Sequence, residues 1–411
     1  MPASISKPAL LFLCHRIPFP PDKGDKIRSY HLLKYLSNRY RVFLGCFIDD
    51  NDDKKYIHEV ESYCEDAIFI SINPLLCRLK SIKGIFTGDP MTLPYYANRE
   101  MAAWVKSTVK KYDIQLSVAF SSSMAQYFQK HESGKIVVDF VDVDSDKWRQ
   151  YSKSKVYPLN YLYRREADQL LKFEKNIVSI SDKSFLVSSA EAALFKRLVG
   201  DYSNKIGFYN NGVDASYFNP HQWYQDPYRE SSPVLVFTGA MDYWPNVDAV
   251  AWFSREVFPE LQKLRSNLKF YIVGRNPTRS VLRLNKLEGI TVTGRVDDIR
   301  PYLKYATAVV APLRIARGVQ NKILEAMAME KIVLASDAGL EGIDAELGME
   351  VLLTNTVEDY CEFLPKILQH NCSFIGEAAR QRVVHDFNWE HTLPKVGASL
   401  EGNVRRELEH D

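Results

Sequence analysis

Residues 317–336 read RGVQNKILEAMAMEKIVLAS. Gly318 lets the backbone approach a ligand closely, Gln320 and Asn321 bring amides, Lys322 brings a cation, and Glu325 adds a hydrogen-bond acceptor about one helical turn further on. Ala326, Met327 and Ala328 then continue as a small apolar run. A helix that opens this way presents free N–H groups, a partial positive charge and an ammonium at one end, which is the chemistry that holds phosphate. The carboxylate of Glu325 can accept from vicinal hydroxyls, so a diphosphate attached to a ribose would satisfy both features. Taken alone, the same residues equally describe a solvated face on an ordinary packed helix.

Neighbouring segments decide how much weight the stretch carries. Four further turns are rich in glycine or fixed positive charge: TGAMDYWPN (238–246), VGRNP (273–277), TGRVDDI (293–299) and APLRIARG (311–318). Each follows a strand-like run: PVLVFTG (233–239), LKFYIVG (268–274), GITVTG (289–294) and TAVVAPL (307–313), with KIVLAS (331–336) next. Runs that are apolar throughout and separated by helical segments belong to a parallel sheet covered on both faces. All its turns at the carboxyl ends lie on one edge, so Gly239, Gly274, Arg275, Gly294, Arg295, Arg314, Arg317 and Lys322 are expected around one site. An earlier series has the same rhythm: ALLFLC (9–14), RVFLGCF (41–47), EDAIFISI (65–72), DIQLSVAF (113–120), KIVVDFVD (135–142) and IVSISDKSFLVSS (177–189). The expected fold is therefore α/β, two facing Rossmann-like doubly wound domains meeting near residue 220.

The bulk properties fit that frame. A chain of 411 residues, 46% hydrophobic and 25% charged, is long enough for two or three domains. A net charge of +2 gives no reason to expect nucleic acid. Cys14, Cys46, Cys64, Cys77, Cys361 and Cys372 have no paired spacing and no histidines at metal-site intervals, which reads as reduced thiols in a cytoplasmic protein without a zinc site. No G-x-G-x-x-G follows ALLFLC, which argues against a dehydrogenase. ALLFLC is too short to span a membrane, and no signal-type cleavage region follows it.

NGVDASYF (211–218), VLVFTGAMDYWPNVDAVAWF (234–253), VTGRVDDIRPYL (292–303) and NKILEAMAMEKIVLAS (321–336) together resemble the family 4 retaining glycosyltransferases of GT-B architecture. With CHRIPFPPDKGDKIRSYHLLKYL (14–36), the chain is most similar to the sugar transferases associated with exosortase/PEP-CTERM polysaccharide loci. The resemblance implies transfer of a sugar from a nucleoside-diphosphate sugar to a glycan or lipid-linked acceptor in exopolysaccharide or cell-surface polysaccharide synthesis. It further implies retained anomeric configuration, no essential metal and no cofactor beyond the donor. Glu325 matches the second glutamate of the family's Glu-x7-Glu motif, which contacts the donor ribose, but Arg317 stands at the first. The family's basic pair for the donor phosphates falls at Ala240 and Asn246, so Lys322, Arg314 and Arg317 are the substitutes.

The catalytic candidates are Lys322, Arg317 and Asp142. Donor-binding candidates are Gly239, Arg275, Arg295, Val296, Arg314, Gly318, Gln320, Asn321, Ile323, Leu324 and Glu325. On the acceptor side, PFPPDKGDKIRSYHLLKYL runs from a proline-stiffened loop into a helix with Ile27, Leu32, Leu33 and Leu36 for packing, which offers Lys23, Gly24, Asp25 and Arg28. Where relatives carry a histidine beside the sugar, VDFVDVDSDKW (138–148) supplies Asp142 and Asp144 instead. The resemblance also expects FNWEHTLPKVGASLEG (387–402) to cross back, giving a first domain of 1–218 plus 390–411 and a donor domain of 219–389.

Several alternatives stay open. The triplet DVD (142–144) after an apolar strand is the metal-binding signature of single-domain glycosyltransferases. A nucleoside-diphosphate-sugar 2-epimerase has the same two-domain fold, and Arg317 in a glutamate's place would also suit a non-catalytic sugar-nucleotide-binding protein. LLCRLKSIKGIF (75–86) sets Leu75, Leu76, Leu79, Ile82 and Phe86 at helical spacing among Arg78, Lys80 and Lys83, which fits either an interfacial helix on the cytoplasmic face of a membrane or a face buried on the first domain.

Overall fold

The computed structural model describes residues 7–21, 24–128, 134–154, 156–228, 232–316, 318–369 and 372–401. The chain forms two compact units, one running to Tyr209 and resuming at Leu393, the other spanning Asn210–Thr392.

The first unit holds a seven-stranded sheet: β1 (Ala9–Cys14), β2 (Arg41–Ile48), β3 (Asp66–Ser71), β4 (Leu116–Phe120), β5 (Lys135–Val141), β6 (Lys183–Leu186) and β7 (Ile206–Phe208). Its order is β3-β2-β1-β4-β5-β6-β7, and every pairing is parallel. Five consecutive residues of β1 are buried, as expected for a central parallel strand with helices on both faces. Two details differ from the sequence reading. Ile177–Ile180 close the 22-residue helix Leu159–Ile180 rather than opening a strand, because Ile177 and Val178 continue that helix's buried stripe. The three-residue β7 is too short to register as an apolar run.

The second unit's sheet contains β8 (Val234–Thr238), β9 (Lys269–Val273), β10 (Ile290–Gly294), β11 (Ala308–Ala311), β12 (Val333–Ala335) and β13 (Leu352–Leu353), in the order β10-β9-β8-β11-β12-β13. Side chains alternate along β8: Leu235 and Phe237 enter a core with Phe253, Phe258, Phe270 and Tyr360, whereas Val236 enters the opposite core with Ile323, Leu324, Met327 and Val333. The second core fixes the roll of the Asn321–Ala328 helix against the sheet. In both units the strand order reverses beside the first strand, between β1 and β4 and between β8 and β11. Doubly wound folds bind ligands at the carboxyl ends of such strands.

Residues 210–218 pack with the second unit. Val213 N–H donates to Phe387 O at 2.7 Å, and a Cβ on Gly212 would stand 2.7 Å from the Trp389 ring. Arg380 donates to Ala215 O (3.2 Å), to Phe218 O (2.9 Å) and to Ala328 O, tying this segment to the end of the Asn321–Ala328 helix. The terminal helix Pro394–Glu401 packs on the first unit: Val396 and Leu400 are buried, Leu400 O accepts from Lys135 Nζ at 3.4 Å, and Gly397 leaves no room for a side chain beside the Tyr35 hydroxyl.

Candidate functional site

At the carboxyl ends of β8, β9 and β10 stand Gly239, Gly274 and Gly294. Gly239 N–H donates to Val273 O at 3.0 Å and Gly274 N–H to Gly294 O at 3.1 Å, so the three strand ends lie side by side. Gly239 has φ +153° and Gly274 φ +158°, and any side chain on Gly274 would collide with the Gly239 carbonyl. The result is a bare backbone floor.

Lys322, in the first turn of the Asn321–Ala328 helix, reaches over that floor. Its Nζ would lie 3.3 Å from a Cβ on Gly239, donates to Asn246 Oδ1, and sits 4.6 Å from the centre of the Phe237 ring. Asn246 is itself buried and donates to Ala240 O at 2.9 Å. Asn246, non-basic at a position where the resemblance expects a charge, accepts from Lys322 through its side-chain amide. Burial lowers the Lys322 ammonium to about 7, with Glu325 opposing, and burial raises the Glu325 carboxyl to about 7, with Lys322 opposing. Both residues are half-buried, and burial acts against the charged form of each.

The helix start is also open. Gln320 is its N-cap and makes no side-chain cap; its Nε2 turns back to Gly318 O at 3.0 Å. Gly318 is buried with φ +64°, which lets the chain turn into the helix. Asn321 Oδ1 accepts from Asn211 Nδ2 at 3.2 Å, so the 211–218 segment braces both ends of the helix. An uncapped first turn leaves backbone N–H groups for an anion.

Other donor-side candidates divide. Arg295 is exposed and, among the described residues, has no hydrogen-bond or ion-pair partner; Val296 packs against the core of the Asn321–Ala328 side. Arg275 follows Gly274, and its carbonyl accepts from Met241 N–H at 2.8 Å. Arg314 is forked onto Asp248 (2.9 and 2.5 Å), so its charge is already met. Ile323 and Leu324 are fully buried, which corrects their assignment: their side chains position the helix and do not face a donor. Arg317 and Lys23 lie outside the described residues. Sequence reasoning missed Tyr217 and Arg300. The guanidinium lies 3.8 Å over the Tyr217 ring and is forked on Asp298, while the Tyr217 hydroxyl is pushed up by burial, by Asp298 and by Glu325, against Arg300. NGVDASYF and VTGRVDDIRPYL carry these residues, but nothing local says that they meet.

On the first unit, Arg28 is corrected most clearly. It is 0% exposed, donates to Asp139 (Nε 2.8 Å, Nη2 3.2 Å), to Tyr209 O (3.0 Å) and to Leu186 O (3.4 Å), and stacks 3.5 Å over the Tyr209 ring. A guanidinium enclosed in this way braces β5 and β6 and does not touch an acceptor. Asp25 is partly buried beside His15 Nε2 (3.3 Å) and Arg16 Nη1 (2.6 Å). Burial alone would raise its carboxyl, but His15 and Arg16 outweigh that and hold it well below the usual range. Gly24 is exposed, with open space where a Cβ would stand. Asp142 and Asp144 share Lys147 Nζ at 2.6 and 3.4 Å, so one ammonium serves both carboxylates of the DVD triplet. Among the described residues, no group of three or more His, Cys, Asp or Glu is placed to hold a metal ion.

A cavity of about 660 Å³ lies elsewhere in the second unit, lined by His221, Glu330, Arg380 and His385 among others. None of the candidates above lines it. Its charges serve the packing just described, with His221 3.6 Å from Glu330 and Arg380 occupied by carbonyls.

Comparison with known proteins adds to this geometry. Residues 232–370 match the family model described as "Glycosyl transferases group 1". None of the curated proteins compared matches the chain. Among solved structures, sucrose-phosphate synthase from Thermosynechococcus elongatus is similar with TM-score 0.70 and 19% identity, covering 98% of this chain and 99% of that one. Anabaena HepE in complex with UDP and glucose gives TM-score 0.66 and 14% identity over 96% and 99%. A UDP-forming trehalose-phosphate synthase from Burkholderia xenovorans gives 0.64 and 11% over 97% and 99%. The fold is thus that of GT-B glycosyltransferases, two Rossmann-like parallel α/β domains.

Proposed function

We propose that this protein is a glycosyltransferase that moves a sugar from a nucleoside-diphosphate sugar to a glycan or lipid-linked acceptor. The observation that carries the reading is the Lys322 ammonium, held by Asn246 over the Gly239 strand end at the uncapped start of a helix, inside the segment that matches the family model. A diphosphate laid there accepts from backbone N–H groups and turns a partly neutral lysine into a full cation, because a nearby dianion favours the charged form. As the bond from sugar to phosphate oxygen breaks, its electron pair goes to the diphosphate, and Lys322 stabilises that growing charge. Glu325 accepts from the ribose hydroxyls of the same donor.

UDP is the first nucleotide to test, since HepE was solved with UDP and glucose on the same fold. Retention of anomeric configuration, independence of metal and a role in cell-surface polysaccharide assembly at the cytoplasmic face of the membrane complete the proposal; they rest on the motif resemblance of residues 211–218, 234–253, 292–303 and 321–336. The test is a panel of nucleoside-diphosphate sugars read by ligand-induced thermal shift, followed by incubation of the stabilising donor with and without saccharide acceptors. Stabilisation by one donor and acceptor-dependent release of its nucleotide support transfer. An epimerised sugar formed without acceptor, or no shift with any donor, contradicts it.

A further inference from the structure

The segment 74–87, PLLCRLKSIKGIFT, forms two short helices, Pro74–Ser81 and Lys83–Thr87. Only Cys77 of the first is buried; Leu75, Leu76 and Leu79 are 68%, 57% and 63% exposed, and Ile82 and Ile85 are exposed beyond them. The fold therefore does not use this apolar face for its own core. The Phe86 side chain lies outside the described residues. Arg78, Lys80 and Lys83 are interleaved with these side chains and exposed, and no Asp or Glu occurs from 74 to 87. Among the described residues, none of the three cations has a hydrogen-bond or ion-pair partner.

A second exposed group adjoins it. Val156, Tyr157, Leu159 and Tyr161 stand out from the start of the Leu159–Ile180 helix, with Tyr157 82% exposed. Arg165 of that helix donates to Gly84 O at 2.6 Å and to Asp89 O at 3.2 Å, which fixes the helix start against the Lys83–Thr87 helix. Tyr161 lies one turn before Arg165, on the same helix face. One surface thus combines aliphatic side chains, tyrosines and unpaired cations.

We propose that this surface docks on a bilayer containing anionic phospholipids. Aliphatic side chains enter the boundary between headgroups and chains, tyrosines sit at headgroup level, and the cations meet lipid phosphates. A second copy of the chain fits worse, since a two-fold contact would set Arg78, Lys80 and Lys83 against their own counterparts. Among the described residues no helix is long and apolar enough to cross a membrane. The proposal deepens the membrane location included in the proposed function, but its surface argument does not depend on sugar transfer.

The test is co-sedimentation of the full chain with sucrose-loaded vesicles of phosphatidylcholine alone or with phosphatidylglycerol added. The protein partitions onto the anionic vesicles, less so at high salt. Arg78→Glu/Lys80→Glu/Lys83→Glu and, separately, Leu75→Glu/Leu79→Glu each lower partitioning at least about tenfold. All five positions are exposed, so wild-type melting temperatures are expected; Tyr157→Ser/Tyr161→Ser, before and within the first turn of the Leu159–Ile180 helix, gives a smaller loss and an independent reading. Equal binding to neutral vesicles, no binding to either, or anionic binding that both charge and leucine variants leave unchanged overturns the proposal. So does a dimer in lipid-free solution that Leu75→Glu/Leu79→Glu abolishes, which would assign the face to a second copy. A protein that binds vesicles yet ignores every sugar nucleotide would overturn only the sugar-transfer reading.

Discussion

Two charged clusters stand in the two units, and they solve opposite problems. Around Arg28 in the first unit, the guanidinium is forked on Asp139, capped by two carbonyls and stacked on Tyr209, whose hydroxyl also donates to Asp139. Burial would lower the Arg28 ionisation, but Asp139 outweighs it and holds the charge in place. Around Lys322 in the second unit, the ammonium has a neutral amide for a partner, and burial pulls it down to about 7 while pushing Glu325 up to about 7. One cluster is electrostatically complete and belongs to the fold; the other is left incomplete, as the proposed donor site requires.

The largest effect separates the two clusters by stability. Arg28→Ala strands a buried carboxylate and is expected to cost about 3–5 kcal/mol, measured by chemical denaturation. Lys322→Ala removes a poorly solvated amine and should change the unliganded protein by less than about 1 kcal/mol. Equal losses in the two variants would erase the distinction. Ligand affinity comes next: Glu325→Ala weakens UDP binding by about 1–3 kcal/mol in calorimetry with the melting temperature kept, and unchanged affinity would remove Glu325 from the ribose. Lys322→Ala then lowers kcat at least about tenfold, roughly 1.4 kcal/mol, without rescue by added Mg²⁺. A raised KM with kcat intact would make Lys322 a binding residue only. The smallest effect is on chelation: EDTA leaves turnover unchanged if Asp142 and Asp144 stay with Lys147, and lost activity would revive the metal-dependent reading of the DVD triplet.

The two clusters also show what a sequence discloses. β1 to β6 and β8 to β12 were legible as apolar runs, whereas the short edge strands β7 and β13 were not, and the Gly239, Gly274 and Gly294 strand ends followed from the parallel order, because these depend on local pattern. Arg28 was misread because its partner lies 111 residues away in β5; a short spacing to Gly24 and Asp25 suggested a cleft, and tertiary packing overrode it. Asn246 was undervalued for the same reason, since its partner Lys322 is 76 residues on. Arg314 looked like a phosphate ligand until Asp248 met it. The apolar stripe at 75–86 was ambiguous by composition, and only exposure distinguishes a core face from an outward one.

Proton linkage tests the central claim most directly. In the unfolded chain Lys322 has its ordinary value of 10.5 and in the free fold about 7, so between those values the unfolded state binds more protons and this group favours folding more as pH rises. Glu325, raised from 4.5 to about 7, acts with the opposite sign over that lower window. At pH 8 Glu325 is largely ionised and Lys322 largely neutral. A diphosphate beside Lys322 restores its charge, so UDP binding at pH 8 should take up close to one proton, read by calorimetry in buffers of different ionisation enthalpy. Lys322→Ala should abolish that uptake. Proton uptake near zero in the wild type, or the same uptake in Lys322→Ala, would contradict a diphosphate held by this lysine.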